Sequence, residues 1–356
     1  MNSDALTFLL TAVVKILITI FVLLTAVAYT VWLERKVVGR MQNRWGPSRV
    51  GPFGLLQPLA DGLKFIFKED LTPPYVHHFV YILAPMLAVV MALTAIALVP
   101  IGPSITIGHI TTPIQITGVN DANGGSSDIG IGLLILLGIT SISVYGVSLA
   151  GWSSNSKYSL LGSLRASAQM VSYEIALGLS LVGVLMISGT FSLREIVRQQ
   201  QGGFWHWNIF GGFQFVAFFI YIMAAYAETN RIPFDLPEAE TELVAGYHTE
   251  YSAMKFAMFF MAEYANMITV ACVASVIFLG GWSGPIPSFL PPILQSILPV
   301  FYFLLRVFFF IFLYIWIRGT LPRFRYDQLM AFGWKFLLPL AIANIVITAF
   351  VIAVRG

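Results

Sequence analysis

An all-α integral membrane protein is the fold class this sequence predicts, with about eight transmembrane helices and an amphipathic surface helix on the cytoplasmic side. Three observations carry that expectation. Charged residues make up only 10% of the 356 residues and hydrophobic ones 58%, against roughly 25% charged in a soluble domain. Apolar runs of about 20 residues, the length that crosses a hydrocarbon core, recur along the chain. Lys and Arg collect in alternate connections between those runs. Together they exclude a soluble cytosolic enzyme, and a net charge of +3 gives no support to nucleic-acid or other polyanion binding.

The runs lie near 5 to 33, 79 to 101, 129 to 151, 166 to 188, 209 to 227, 256 to 282, 293 to 317 and 329 to 354. In the first, Leu6 to Tyr29 is too long for a signal-peptide core, and Tyr29-Thr30-Val31-Trp32 is no small-residue cleavage site, so it is expected to remain as an anchor. Gly46-Pro47 and Gly51-Pro52 then demand turns, and a helical pattern resumes over about 53 to 68. Gln57, Asp61, Lys64 and Lys68 share one face of it, while Leu55, Leu56, Leu59, Leu63, Ile66 and Phe67 cover the other. That is a helix at the membrane surface: either a solvated face under the bundle, or one wall of an opening for an amphiphile. The connections 102 to 128 and 283 to 292 match no usable motif. With no inverted repeat and no linker-like stretch, one polytopic domain over 1–356 is expected.

Orientation follows from the cations. Arg35, Lys36, Arg40, Arg44, Arg49, Lys64, Lys68, Lys157, Arg165, Arg231, Lys255, Arg318, Arg323, Arg325 and Lys335 fall on one side, against Arg194, Arg198 and Arg355 on the other. The positive-inside rule therefore puts the longer polar connections inside and both termini outside. Three of those cations, Arg318, Arg323 and Arg325, stand with Asp327 between the last two spans. Topology alone explains them; docking of an acidic partner surface, or holding nearby carboxylates ionised, are the functional alternatives.

A carboxylate in a span costs several kcal/mol unless paired or hydrated, so each one is a candidate site. Glu263 lies about ten residues into its helix, roughly 15 Å along it. Glu174 lies about nine residues into the fourth span. Glu228 closes the short fifth span and Glu34 the first. The bland alternative for each is a hydrogen bond to a neighbouring helix. The inner segment 228 to 252 holds Glu228, Asp235, Glu238, Glu240, Glu242 and Glu250 against one cation, Arg231. Asp235 and Glu238 have capping-box spacing, and repulsion between 238 and 242 on one helix face favours keeping a proton there. The segment reads as a solvated helix face, or as a proton relay continuing from Glu228. The one cysteine, Cys272, cannot supply the ligands of an iron–sulfur cluster or a zinc site. No metal site is expected, and any redox centre must be elsewhere.

Six stretches, ERKVVGRMQNRWGP (34 to 47), GPFGLLQPLADGLKFIFKED (51 to 70), SLRASAQMVSYEIALG (163 to 178), AETNRIPFDLPEAETELVAGYHTEYS (227 to 252), FFMAEY (259 to 264) and PRFRYDQLM (322 to 330), resemble one family. It is the H-subunit family, of which the mitochondrial form is numbered 1, of the proton-pumping NADH:quinone oxidoreductase, respiratory complex I. The resemblance covers about residues 20 to 340.

The resemblance implies a component at the junction of the peripheral and membrane arms, with quinone as substrate, ubiquinone and menaquinone both open. FMN and iron–sulfur clusters would sit in partner subunits. It implies a quinone tunnel framed by the first span, the surface helix and the sixth span, with Glu34, Arg35, Arg40, Asp61, Phe65, Phe67 and Arg231. It also implies a carboxylate path toward antiporter-like subunits through Asp61, Glu174, Glu228, Glu238, Glu240 and Glu263, which Asp235 and Glu242 join as neighbours. Other implied partners are the peripheral-arm quinone-site subunits and small membrane subunits. The ERK and MAEY segments and the chain length point to a bacterial cytoplasmic membrane rather than a mitochondrial or plastid one. Alternatives from other classes are an independent proton- or cation-coupled transporter using Glu174, Glu228 and Glu263, the related membrane component of a membrane-bound hydrogenase, and a purely structural anchor.

Overall fold

In hydrocarbon a backbone must satisfy its own polar groups, so apolar runs of this length fold as helices. The computed structural model describes residues 3–107, 110–117, 119–120, 126–210, 214–235, 245–287 and 291–355. Among the described residues, seven helices are long and apolar enough to cross a membrane. They are α1 (Ser3–Met41), α3 (His78–Ala97), α4 (Gly132–Ser153), α5 (Lys157–Ser188), α8 (Ala253–Phe278), α9 (Pro292–Thr320) and the segment formed by α10 (Tyr326–Phe332), a π-turn (Gly333–Leu337) and α11 (Leu338–Arg355). Shorter helices are α2 (Gln57–Phe67), α6 (Leu193–Gln199) and α7 (Phe215–Glu228).

The all-α membrane architecture holds, with three adjustments. Helix α1 runs past Glu34 to Met41, and α5 begins at Lys157, because Arg, Lys, Ser and Leu are adequate helix formers whether or not they lie in hydrocarbon. The fifth expected span is only the 14-residue α7, about 21 Å long, short of the roughly 30 Å core. In the connection after α3, β1 (Ser104–Ile107) pairs antiparallel with β2 (Ile110–Pro113), and β3 (Val119–Asn120) with β4 (Ser126–Ser127). Gln115 pins this connection, donating to the Leu98 carbonyl at 2.8 Å and to Asp128 at 2.7 Å. The Ser192 side chain caps α6 by accepting from the Glu195 amide at 3.3 Å, the arrangement an S-x-x-E sequence favours.

Small residues let the helices approach. A Cβ on Gly146 of α4 would stand 3.0 Å from that of Ala88 in α3, the close packing that drives association where lipid offers no hydrophobic contrast. Gly162 of α5 is tighter: its Cβ would lie 2.7 Å from the Gly246 Cα and 3.0 Å from the Tyr247 amide nitrogen. Ser159, one turn earlier, donates to the Tyr247 carbonyl at 3.1 Å. Gly162→Ala should therefore lower stability by about 1–3 kcal/mol. Gly178→Ala, on the same helix with nothing within 4 Å, should leave it unchanged or slightly raised, and thermal unfolding of the two variants in detergent compares them.

The buried cluster runs through α3, α4, α5, α7 and α8, with α8 the most enclosed. Outward faces carry side chains such as Phe21 and Phe350, about 70% exposed, as a lipid-facing surface requires. The connections that the cation count assigns to the inner side meet at one end. There the Phe324 amide donates to the Pro233 carbonyl at 3.2 Å, the His77 amide to the Ser153 carbonyl at 3.1 Å, and Lys255 pairs with Asp70 at 2.9 Å.

Candidate functional site

The candidate site lies at that end, where α7 stops. Thr229, Asn230 and Arg231 leave the helix, with Asn230 in a left-handed conformation (φ 49°). Irregular backbone near membrane depth persists only where protein satisfies it. Gln169, fully buried on α5, does so: its Nε2 donates to the Ala227 and Phe234 carbonyls, each at 2.8 Å, and to Asn230 Oδ1 at 3.2 Å. The clamp fixes where Arg231 projects.

From Arg231 a connected row of polar side chains runs in two directions. One guanidinium nitrogen donates to the Tyr264 hydroxyl at 3.3 Å, another lies 3.6 Å from Glu263 Oε2, and the guanidinium stacks 4.0 Å from the Tyr264 ring centre. Tyr264 in turn donates to Glu34 Oε2 at 2.7 Å, and Arg318, at the end of α9, pairs with Glu34 Oε1. On the far side the Tyr247 hydroxyl donates to Glu263 Oε1 at 2.9 Å. The order is Arg318, Glu34, Tyr264, Arg231, Glu263, Tyr247, drawn from α1, α8, α9 and two connections.

At 3.6 Å and an effective dielectric of about 20, two unit charges attract by about 5 kcal/mol. Removing both from water costs several kcal/mol per ion, so the pair is worth little net stability while it stays complete. What it supplies is geometry: Tyr264 accepts from a cation and donates to an anion, so a change of charge at either end alters the hydrogen bonds at the other.

Beside this row is a small cavity of about 30 Å³, room for one or two waters. Glu228, Glu263, Ser143, Thr229, Asn230 and Asn266 supply its polar lining. The two carboxylates thus face one space although 35 residues separate them in sequence. Glu174, on α5, is hydrogen-bonded by Ser141 of α4.

The remaining candidates sit outside this interior. Arg35 pairs with Asp61 at 2.7 Å across the gap between α1 and α2, both partly exposed, and Gln57 donates to Asp61 at 2.9 Å. Arg40 is exposed and stacks 5.0 Å from the Trp45 ring. Phe65 lies 6.2 Å from Phe256 of α8, whereas Phe67 is 83% exposed. No residue of α2 is buried, so its apolar face stays open to bilayer or partner. Asp235 pairs with Arg323 at 3.2 Å. Glu238, Glu240 and Glu242 lie outside the described residues. Arg318 and Arg323 thus hold carboxylates of this chain, leaving Arg325 and Asp327, paired at 3.5 Å and more than 80% exposed, as the surface pair facing outward. Tyr75 donates to Glu250 at 2.9 Å, a bond that raises the phenol above its usual range. Among the described residues no group of three His, Cys, Asp or Glu side chains could hold a metal ion.

A family model described as NADH dehydrogenase matches residues 14–349. The NADH-quinone oxidoreductase H-subunit 2 of Koribacter versatilis is 79% identical, with 100% of both chains covered. The chain belongs to the NADH-quinone oxidoreductase H-subunit family. H-subunit 2 of Geobacter metallireducens is 51% identical over 96% of this chain and 95% of its own, and H-subunit 1 of Solibacter usitatus 48% over 97% and 98%. As a family member the chain is a multi-pass membrane component of NADH-quinone oxidoreductase.

Within this H-type chain, sequence reasoning finds Glu34, Arg231, Glu263 and Arg318 but not that two tyrosines join them. Tyr264 and Tyr247 are almost fully buried and pass for apolar core in an aromatic-rich run. Their one signal is position, Tyr264 directly after Glu263 and Tyr247 inside the long acidic motif.

Proposed function

We propose that this subunit gives a quinone access from the bilayer to the oxidoreductase, and that its buried carboxylates carry the charge change of quinone reduction into the membrane arm. The observation that carries the reading is the connected row from Arg318 to Tyr247, joined through Glu263 to the cavity it shares with Glu228. An amphiphile would enter where α1, α2 and α8 pack against one another, a region that holds the Arg35–Asp61 pair and Phe65 beside Phe256, with the exposed Phe67 and Arg40 as further candidates for the route. The open apolar face of α2 suits a lipid-borne substrate.

Quinone reduction by FMN- and cluster-bearing partner subunits changes the charge near Glu34 and Arg231. A unit charge at 8 Å and an effective dielectric of about 20 contributes roughly 2 kcal/mol, comparable to about 1.5 in a pKa. One such step is enough to change which of Glu263, Glu228 and Glu174 holds a proton, and Asp235, Glu238, Glu240 and Glu242 would extend the path at its aqueous end. Arg325 and Asp327 would meet peripheral-arm quinone-site subunits, while small and antiporter-like membrane subunits would receive the charge change. With the short α7 counted as the fifth crossing, the positive-inside pattern supports both termini periplasmic and a single polytopic domain, and the bacterial relatives support a bacterial cytoplasmic membrane as the location.

Asp61→Asn tests the access route. The Arg35–Asp61 pair is half exposed, so its loss should change stability by less than about 1 kcal/mol. It should raise the KM for quinone about two- to fivefold with kcat nearly unchanged. Steady-state kinetics of the assembled complex with a short-chain quinone measure both; an unchanged KM removes Asp61 from the route. Ion flux through the purified chain alone in liposomes would sink the coupling role in favour of an independent transporter.

A further inference from the structure

The end of the bundle opposite the candidate site holds a second concavity. It is a groove of about 900 Å³ between the connection after α6, the connection after α8 and the first half of α9. Phe204, Trp207, Trp282, Ile286, Tyr302 and Leu305 form its apolar walls, and Arg306 is its cation. Pro299 also lines it, inside α9 where it removes a helix hydrogen bond.

Arg306 lies within a candidate span, where a cation needs an anionic or carbonyl partner. Its guanidinium donates to the Gly281 carbonyl and, at 2.5 Å, to the Ser283 carbonyl, and it stacks 4.6 Å from the Trp207 ring. Two of five N–H donors are thereby used. No carboxylate among the described residues forms an ion pair with it. A net positive charge therefore sits at the head of an apolar groove, beside the Trp207 and Tyr302 rings.

We propose that this groove binds a membrane phospholipid, its phosphodiester on Arg306 and an acyl chain along the apolar walls. The volume fits that occupant: ligand-sized sites run about 300–1,000 Å³. The charge fits too, since the guanidinium fork matches phosphate oxygens.

The test uses the assembled oxidoreductase in phosphatidylcholine nanodiscs carrying a small fraction of phosphatidylglycerol with a photoreactive acyl chain. Labelled peptides are then mapped by mass spectrometry. Labelling is expected in 201–207 and 282–286, falling about tenfold in Arg306→Gln and when photoreactive diacylglycerol, which lacks the phosphate, replaces the probe. Because Arg306→Gln also disturbs the Gly281 and Ser283 bonds, Ile286→Trp, which fills the groove and leaves Arg306 in place, should lose labelling to a similar degree with quinone reductase activity retained. Equal labelling by diacylglycerol overturns the headgroup contact. Labelling unchanged in both variants, or displaced by a cross-link to another subunit's peptide, overturns the site.

Discussion

Arg231→Met should lower the stability of the assembled subunit by about 3–5 kcal/mol and reduce quinone reductase activity by tenfold or more. The size follows from what is left behind. Arg231 is buried, faces Glu263 at 3.6 Å, and donates to Tyr264, which holds Glu34. Methionine fills much of the volume but strands Glu263 with one tyrosine donor, and a buried charge deprived of its partner is penalised by that amount. Arg231→Lys should recover the charge but only part of the activity, because an ammonium cannot both bridge two acceptors and stack on the Tyr264 ring. The double variant Arg231→Met, Glu263→Gln separates stability from function: removing both charges should restore most of the thermal stability, while activity stays low. Thermal unfolding of the complex in detergent and NADH:quinone turnover measure the two effects. Stability and turnover both unchanged in the single variant would exclude the row from Arg318 to Tyr247 as a working unit.

The parts of this site that the sequence makes legible are the ones whose signal is chemical scarcity. In a chain only 10% charged, every carboxylate inside an apolar run stands out, so Glu34, Glu174, Glu228 and Glu263 need no structure to be noticed. Pairing is another matter. Glu34 and Arg318 are 284 residues apart, and no local pattern links the end of α1 to the end of α9. The tyrosines that complete the row are hidden for the opposite reason: a phenol is mostly apolar, and only its neighbours reveal that the hydroxyl matters.

Element boundaries divide the same way. Hydropathy marks where hydrocarbon ends, not where a helix ends, so the charged turn Glu34 to Met41 and the polar start of α5 are misjudged although both are helical. The shortness of α7 has a different cause. Pro233 and the left-handed Asn230 signal the break on one side, but the clamp by Gln169, 61 residues upstream of Asn230, is a tertiary fact. It lets a 14-residue helix end beside a buried arginine, which is what brings Glu228 to the cavity.

Glu228→Gln should therefore separate proton translocation from assembly. The amide has nearly the same shape and can occupy the same cavity wall, so the variant complex should assemble and keep thermal stability within about 1 kcal/mol. What it cannot do is change charge. If each step along the carboxylates is worth roughly 2 kcal/mol, its loss corresponds to about a thirtyfold fall in coupled turnover. Proton uptake by reconstituted vesicles reads that fall directly. NADH oxidation with ferricyanide, which takes electrons before the membrane is reached, should be unaffected and confirms an intact peripheral arm. Glu263→Gln should show the same loss together with a stability change, because Glu263 also balances Arg231 whereas Glu228 has no ion pair with a described residue. The contrast between the two variants is the sharper measurement. Equal and full pumping in both would leave these carboxylates a purely structural role, and the subunit would then serve as an anchor for the redox arm.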